Sequence, residues 1–358
     1  MALVRRVVCC TLAVFSLVVL LLPPGCSREP VRLHILEAGS LVIPFEEVEK
    51  EFERQNPGID LLLEGHGSIQ VVRHITEIHD EADIAAVADY SLLPMLMYPV
   101  QLPDDQGPYA DWTISFATNC LGLAYTPQSA YSDEIDAGNW HEILSREDVT
   151  FGISDPRFDA CGYRSLMLLR LAEDHYDDTD ILERLIVRSF RPAIKVREEE
   201  GVCTIQVPEL LEPIERRVTL RGFSVQLLAL LESRDLDYAF QYESVARQHG
   251  LEFLQLPPEV DLSSAEHAHE YQRVRVKIDF RRFATVTPEF EGLPIVYGVT
   301  IPRNAPHKKE AVEFLRFLLG PGGRRILEDA RQPVMPPAVD NPANLPAQLR
   351  ALIDHPTR

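Results

Sequence analysis

Cysteine is scarce in this chain: Cys9, Cys10 and Cys26 lie in the N-terminal head, and only Cys120, Cys161 and Cys203 follow. No CxxC pair and no Cys/His spacing of the structural-zinc kind occurs, which argues against a structural zinc site. An odd set of three permits at most one disulfide, for which Cys161 with Cys203 is the expected pair. Signatures of catalysis are missing as well. There is no GxSxG elbow and no glycine loop ending in lysine, and "HEILS" at 141–145 fails the last position of HExxH. Serine, histidine and aspartate occur without a spacing that singles out a triad, so the chain reads as a non-enzyme, with an extracytoplasmic hydrolase as the rival class. Basic residues are in deficit: 35 Lys and Arg face 55 Asp and Glu, for a formal net charge of −20. That excludes nucleic acid and an anionic lipid surface as partners. It leaves open a small buried anion, which local amides and hydroxyls can hold whatever the global charge. No internal repeat of fixed period is present.

What is there points to a secreted two-domain protein. A chain of 358 residues with 46% hydrophobic composition can bury a large core and suits two domains better than one. The N-terminus carries Arg5 and Arg6, then an apolar run from Val7 to Leu22, then Gly25-Cys26. This three-part layout is that of a secretory signal over 1–26, and the run falls short of the roughly 20 apolar residues of a spanning helix. The cysteine after Leu-Pro-Pro-Gly resembles a lipoprotein processing site, although Pro23 and Pro24 depart from the usual residues there. Lipid attachment at Cys26 would tether the protein to the outer face of the membrane.

Along the chain, "VRLHILEAG" reads as a buried strand leading through Gly39-Ser40 into a helix whose Phe45, Val48 and Phe52 share a face. "IDLLLEGHGS" repeats the design: a strand, then Gly65-His66-Gly67-Ser68, then "IQVVRHITEI" as a second helix. Two such units in succession predict an α/β fold with parallel strands. A strand-rich stretch from Asp111 interrupts the alternation, which restarts at "VTFGISDPRFDACGYRSLMLLRLAE". An acidic, irregular middle follows, then a helix, a strand and "GLPIVYGVTIP" as a further strand. The polar run "PEVDLSSAEHAHEYQ" (258–272) reads as a mobile excursion, its "HAHE" as solvated loop, and His66 as structural or solvent-facing. In the last helix Ala311, Phe314, Leu315 and Leu318 share a face. The pattern fits two lobes between which the chain crosses twice: 31–117 with 302–340 in the first, and 118–301, hinge strands included, in the second. The cleft between them is the expected binding site.

Several phrases, taken in order, resemble the tungstate/molybdate-binding components of ABC transporters. They are "AGSL" (38–41), "GS" (67–68), "VVRHITE" (71–77), "ADYSLLPMLM" (88–97), "ADWTISFATN" (110–119), "ISDP" with "CGYRSLM" (153–167), "LLALLES" and "LDYAFQYESVARQHGL" (227–251) and "IVYGVTIPRNAP" (295–306). The resemblance implies a type II periplasmic-binding-protein fold with two hinge crossovers. It implies a tungstate or molybdate ligand in the cleft, no cofactor, and delivery by a monomer to a membrane permease with its ATPase. The anion-holding residues of the archaeal-type branch correspond to Gly39, Ser40, Ser68, Asp155-Pro156-Arg157, a glutamate and Tyr242. In that branch an aspartate and the glutamate approach the metal and expand its coordination. This chain has Ser224 where the glutamate would fall, so a four-coordinate oxyanion held by donors alone competes with expanded binding.

The residue types support a donor site independently. Molybdate and tungstate are proton-free tetrahedral dianions near neutral pH, and Ser40, Ser68, Ser224 and Tyr242 supply hydroxyls. Phosphate keeps a proton that a donor-only site cannot accept, whereas sulfate must be excluded by size; sulfate, phosphate or another small anion remains the alternative ligand. Each residue also has a plainer reading: Ser40, Ser68 and Ser224 as helix caps, Asp155 as an Asx-turn before Pro156, Arg157 on the cleft rim, Tyr242 as a buried strand aromatic.

Overall fold

The computed structural model describes residues 29–279 and 288–354; the expected signal segment and Cys26 lie outside them. Strands are numbered in chain order. The first lobe is built on a six-stranded sheet of β1 (Val31–Ala38), β2 (Ile59–His66), β3 (Ile84–Val87), β4 (Ile114–Thr118), β16 (Val296–Thr300) and β17 (Val334–Val339), ordered β17-β4-β16-β3-β1-β2. β1 pairs in parallel with β2 and β3, as the repeated strand–Gly/Ser–helix units require, while β16 and β17 run antiparallel to β4. The second lobe carries β5 (Leu121–Tyr125), β6 (Phe151–Ser154), β11 (Val218–Arg221), β12 (Tyr238–Tyr242) and β13 (Glu252–Leu254), ordered β11-β6-β12-β5-β13. The chain crosses between lobes at Asn119-Cys120 and returns between Glu291 and Val296. The strand Val296–Thr300 therefore belongs to the first lobe's sheet, not to the second lobe's 118–301.

Helix α1 (Val42–Gln55) buries Phe45, Val48 and Phe52 at the spacing read from the sequence. Phe52 meets Phe314 of the helix Lys308–Leu318 edge to face at 5.3 Å, and Phe45 meets it at 6.1 Å. Each fully buried apolar side chain here is worth about 1.5–3 kcal/mol. These contacts return the chain's end to the first lobe.

Two stretches are more ordered than their composition suggested. Within the acidic middle, β8 (Lys195–Glu199) and β9 (Val202–Val207) form a hairpin closed by Glu200-Gly201, both at positive φ. Such a two-residue turn matches strand twist, and glycine adopts it without steric cost. β9 turns Cys203, Ile205 and Val207 inward at period two and pairs with β14 (Val274–Ile278), which carries β15 (Glu289–Glu291) on its other edge. A short pair, β7 (Phe190–Arg191) with β10 (Glu212–Pro213), completes this region. The 258–272 run, expected as an excursion, is packed: Val260, Leu262 and Tyr271 are buried, and the Tyr271 hydroxyl donates to the Pro258 carbonyl. The expected Cys161–Cys203 disulfide does not form. All three core cysteines are free and buried, with the Cys161 thiol 3.6 Å from the Phe240 carbonyl.

β1 is buried on both faces from Ile35 to Ala38, as a central parallel strand should be, and its one acidic member is anomalous. Glu37 is fully buried, and neither carboxyl oxygen has a hydrogen-bond partner among the described residues. Burial, then Glu46 and Glu49, hold its pKa well above the ordinary 4.5. The folded state thus binds this proton more tightly than the unfolded state, so stability falls as pH rises from about 4.5 through the raised native value. Glu37→Gln is expected to raise Tm more at pH 8 than at pH 5 in thermal melts; an equal gain at both would contradict this account.

Candidate functional site

Four loops meet where the lobes face each other. From the first lobe come Ala38-Gly39-Ser40 after β1 and Gly67-Ser68 after β2. The second contributes Phe158-Asp159, ahead of the helix Ala160–Tyr176, and Phe223-Ser224, ahead of a turn over Ser224–Leu227. The glycines let main chain approach main chain. A Cβ on Gly67 would lie 2.4 Å from the Phe158 carbonyl oxygen, and one on Gly39 would lie 3.0 Å from the Phe223 ring. Across this junction the Ile69 amide donates to the Phe158 carbonyl at 3.1 Å, and within the second lobe the Ser224 amide donates to the Asp159 carboxylate at 3.0 Å.

Three hydroxyls at the junction, those of Ser40, Ser68 and Tyr242, are directed one way. A hydroxyl has one hydrogen to donate, and a neighbour that can only donate occupies its accepting side. Ser68 Oγ accepts from the Ala88 amide at 3.0 Å, and Tyr242 Oη accepts from Arg164 Nη1 at 3.0 Å. Ser40 Oγ ends a longer relay. Asn119 Oδ1 accepts the amides of Cys120 and Ser244 at 3.1 and 3.4 Å, so its Nδ2 must donate, to Ser244 Oγ at 2.8 Å and Tyr297 Oη at 3.0 Å. Tyr297 in turn donates to Ser40 Oγ at 2.9 Å. Ser40, Ser68 and Tyr242 are each left with a hydrogen to donate. Burial holds the Tyr242 and Tyr297 phenols well above their usual pKa, so both keep that hydrogen at neutral pH.

Residues 33–330 match the family model described as bacterial extracellular solute-binding protein. The chain belongs to that family. An uncharacterized solute-binding protein of Methanoculleus marisnigri is 42% identical over 328 residues, covering 92% of this chain and 88% of the relative. One from Petrotoga mobilis is 37% identical, covering 88% of each. Among solved structures, the sulfate-binding protein of Mycobacterium tuberculosis superposes with a TM-score of 0.51 at 13% identity, covering 86% of this chain and 88% of that one, which bears on the fold alone. The two-lobed architecture is the periplasmic-binding-protein fold. Membership implies a small-molecule ligand, an ABC transporter as its recipient and a place of work outside the cytoplasm. Among the described residues no helix is long and apolar enough to cross a membrane.

In this solute-binding protein Gly39, Ser40, Ser68, Ser224 and Tyr242 are gathered at the lobe junction, and the two aspartates of "SDPRFD" part company. Asp155 takes up the Asx-turn that its sequence left open: it accepts the Arg157 amide at 2.9 Å and Nε at 2.8 Å, and its other oxygen pairs with Nη2 at 2.5 Å. Arg157 spends Nη1 on the Glu209 carbonyl at 2.5 Å. Pro156 shapes this turn. Of the two, the one that reaches the junction is Asp159, whose carboxylate accepts the Ser224 amide. Burial raises its pKa, opposed by the Ser154 hydroxyl and the amides of Ser224, Cys161 and Ser68. Sequence reasoning passed over Asp159 and four more junction residues, Asp89, Asn119, Arg164 and Tyr297. All but Asp159 sit inside the phrases "ADYSLLPMLM", "ADWTISFATN", "CGYRSLM" and "IVYGVTIP". Nothing in their spacing marks them off from core residues.

Arg164 locks the lobes together. Its side chain is 2% exposed; Nη1 also donates to the Ala88 carbonyl at 2.7 Å, and Nη2 lies 3.2 Å from Asp89 Oδ2. Asp89 further accepts from the Tyr163 hydroxyl at 2.5 Å and from Ser91. Removing one partner of a buried pair strands the other charge, at a cost of about 3–5 kcal/mol. Arg164→Met is expected to lose about that much in urea unfolding, with Arg164→Lys recovering part; a loss within the few tenths typical of surface changes would show that Asp89 is not held by this pair.

Proposed function

We propose that this protein captures a tetrahedral metal oxyanion, tungstate or molybdate, between its lobes and presents it to a membrane permease with its ATPase. The observation that carries the reading is the shared polarity of Ser40, Ser68 and Tyr242, each of which accepts a hydrogen bond, from the Tyr297 hydroxyl, the Ala88 amide and the Arg164 guanidinium in turn, and keeps its own hydrogen to donate. A ligand that accepts everywhere and offers no proton suits such a set, and a proton-free dianion is that ligand. Asp159 separates metal oxyanions from sulfate. A carboxylate beside sulfate only repels it, whereas molybdenum and tungsten can take a carboxylate oxygen as an added ligand. The aspartate that the resemblance expects near the metal is thus Asp159, not Asp155. With Ser224 in place of the glutamate, one carboxylate serves where the archaeal-type branch has two. Gly39 admits the ligand close to main chain, and closure brings the second lobe's Asp159, Ser224 and Tyr242 over the first lobe's serines.

Each charge-assisted hydrogen bond contributes about 1.5–3 kcal/mol, equivalent to about 10- to 100-fold in affinity. Calorimetric titration of dialysed protein should show tungstate and molybdate binding tighter than sulfate and phosphate, and Tyr242→Phe, Ser40→Ala and Ser68→Ala should each lose about that factor. Sulfate binding tighter than both metal oxyanions would sink the assignment.

Ser224→Glu would place a second carboxylate against Asp159. It should lower the Tm of the dialysed protein through like-charge repulsion, and tungstate should restore it. X-ray absorption on the bound tungsten would then report more oxygens than in the unsubstituted protein; the same shell in both would count against a second carboxylate ligand.

A further inference from the structure

The end of β2 carries a second cluster, unconnected with the donor set. Glu64 and His66, two residues apart on a strand, project to the same side. His74, which follows the short helix Ser68–Arg73, comes up against them. One ligating atom from each of the three lies within 4.8 Å of the other two. The His66 and His74 rings stack with centroids 4.3 Å apart and planes 28° from parallel. His74 is aimed: its Nδ1 bonds Asp80 Oδ2 at 2.7 Å, leaving Nε2 without a hydrogen bond among the described residues, and Asp80 is itself fixed by its amide on the His74 carbonyl at 2.9 Å. A carboxylate on the far nitrogen is the arrangement that orients a metal-binding imidazole. Glu64 is braced likewise, with Oε2 3.1 Å from His34 Nε2 and Oε1 2.9 Å from His66 Nε2.

We propose that Glu64, His66 and His74 form a binding site for a divalent transition-metal ion, Zn²⁺ foremost. Two imidazoles and one carboxylate are a borderline-soft set that suits zinc, nickel or copper over calcium or magnesium. Three protein ligands leave a fourth tetrahedral position for water. Zinc–nitrogen bonds of about 2.0–2.1 Å require the three atoms to close to roughly 3.3 Å. The side chains have room for this, being 46% exposed at Glu64, 19% at His66 and 23% at His74. The ion would replace the Glu64–His66 hydrogen bond and tie the end of β2 to the far end of the Ser68–Arg73 helix, bracing the segment that holds Gly67 and Ser68. The site does not depend on which anion the cleft takes.

The test uses untagged mature protein, treated with chelator, dialysed and titrated with Zn²⁺ in a calorimeter. One ion per chain at micromolar affinity or tighter is expected, with a zinc-dependent rise in Tm. His74→Ala and, separately, His66→Gln should weaken binding at least tenfold while keeping the native circular dichroism spectrum. His267→Ala with His269→Ala, in the exposed "HAHE" run, should leave it unchanged. X-ray absorption at the zinc edge should show two imidazole nitrogens. Absence of binding at 100-fold molar excess, or binding that survives the combined His66→Gln, His74→Ala variant, or binding lost in the His267/His269 variant instead, would overturn the proposal.

Discussion

A guanidinium buried between two lobes is the constraint on which the junction depends. Arg164 reaches out of the second lobe and spends its donors on Asp89, on the Ala88 carbonyl and on the Tyr242 hydroxyl. Taking such a charge out of water is unfavourable by several kcal/mol unless every donor is met. In this arrangement of the lobes it is paired with first-lobe groups, Asp89 and the Ala88 carbonyl, so satisfying the charge ties one lobe to the other. The same contacts set Tyr242, because an oxygen that accepts from Arg164 must turn its hydrogen elsewhere.

On the proposed reading, that coupling lets a chain with a formal net charge of −20 offer a site to an anion. The global charge acts through solvent and is screened within about 10 Å at ordinary ionic strength. The junction acts through hydroxyls and amides whose direction is fixed by buried neighbours. Asn119 shows the economy of this arrangement: one amide, pinned by two main-chain donors, dictates the orientation of Tyr297 and through it of Ser40.

Much of the frame was legible from spacing. The apolar faces of α1 and of the helix Lys308–Leu318, the twin Gly/Ser turns and the two-lobed plan follow from periodicity and glycine placement, which are local properties. The failures all concern relations that no local pattern encodes. Asp155 and Asp159 are four residues apart with similar neighbours, and only the capture of Asp155 by Arg157 decides which of them meets Ser224. The β8–β9 hairpin was hidden because β8 is mostly charged and exposed along its whole length, which masked the inward Cys203, Ile205 and Val207 of its partner. Cys161 and Cys203 looked like partners by parity alone, yet one lies in the helix behind the junction and the other in a separate sheet. Glu64, His66 and His74 convey nothing as a motif, since the chain must turn through a helix before the third joins the first two.

The glycines at the junction carry a consequence for selectivity. Because Gly67 meets the Phe158 carbonyl without a side chain between them, the closed gap is bounded by main chain at that point. Main chain held by sheet and helix hydrogen bonds cannot shorten or rotate as a rotamer can. The space between the lobes is therefore a fixed gauge: for the proposed anion, too small a ligand would leave its donors out of reach, and too large a one would hold the lobes apart before Arg164 could seat.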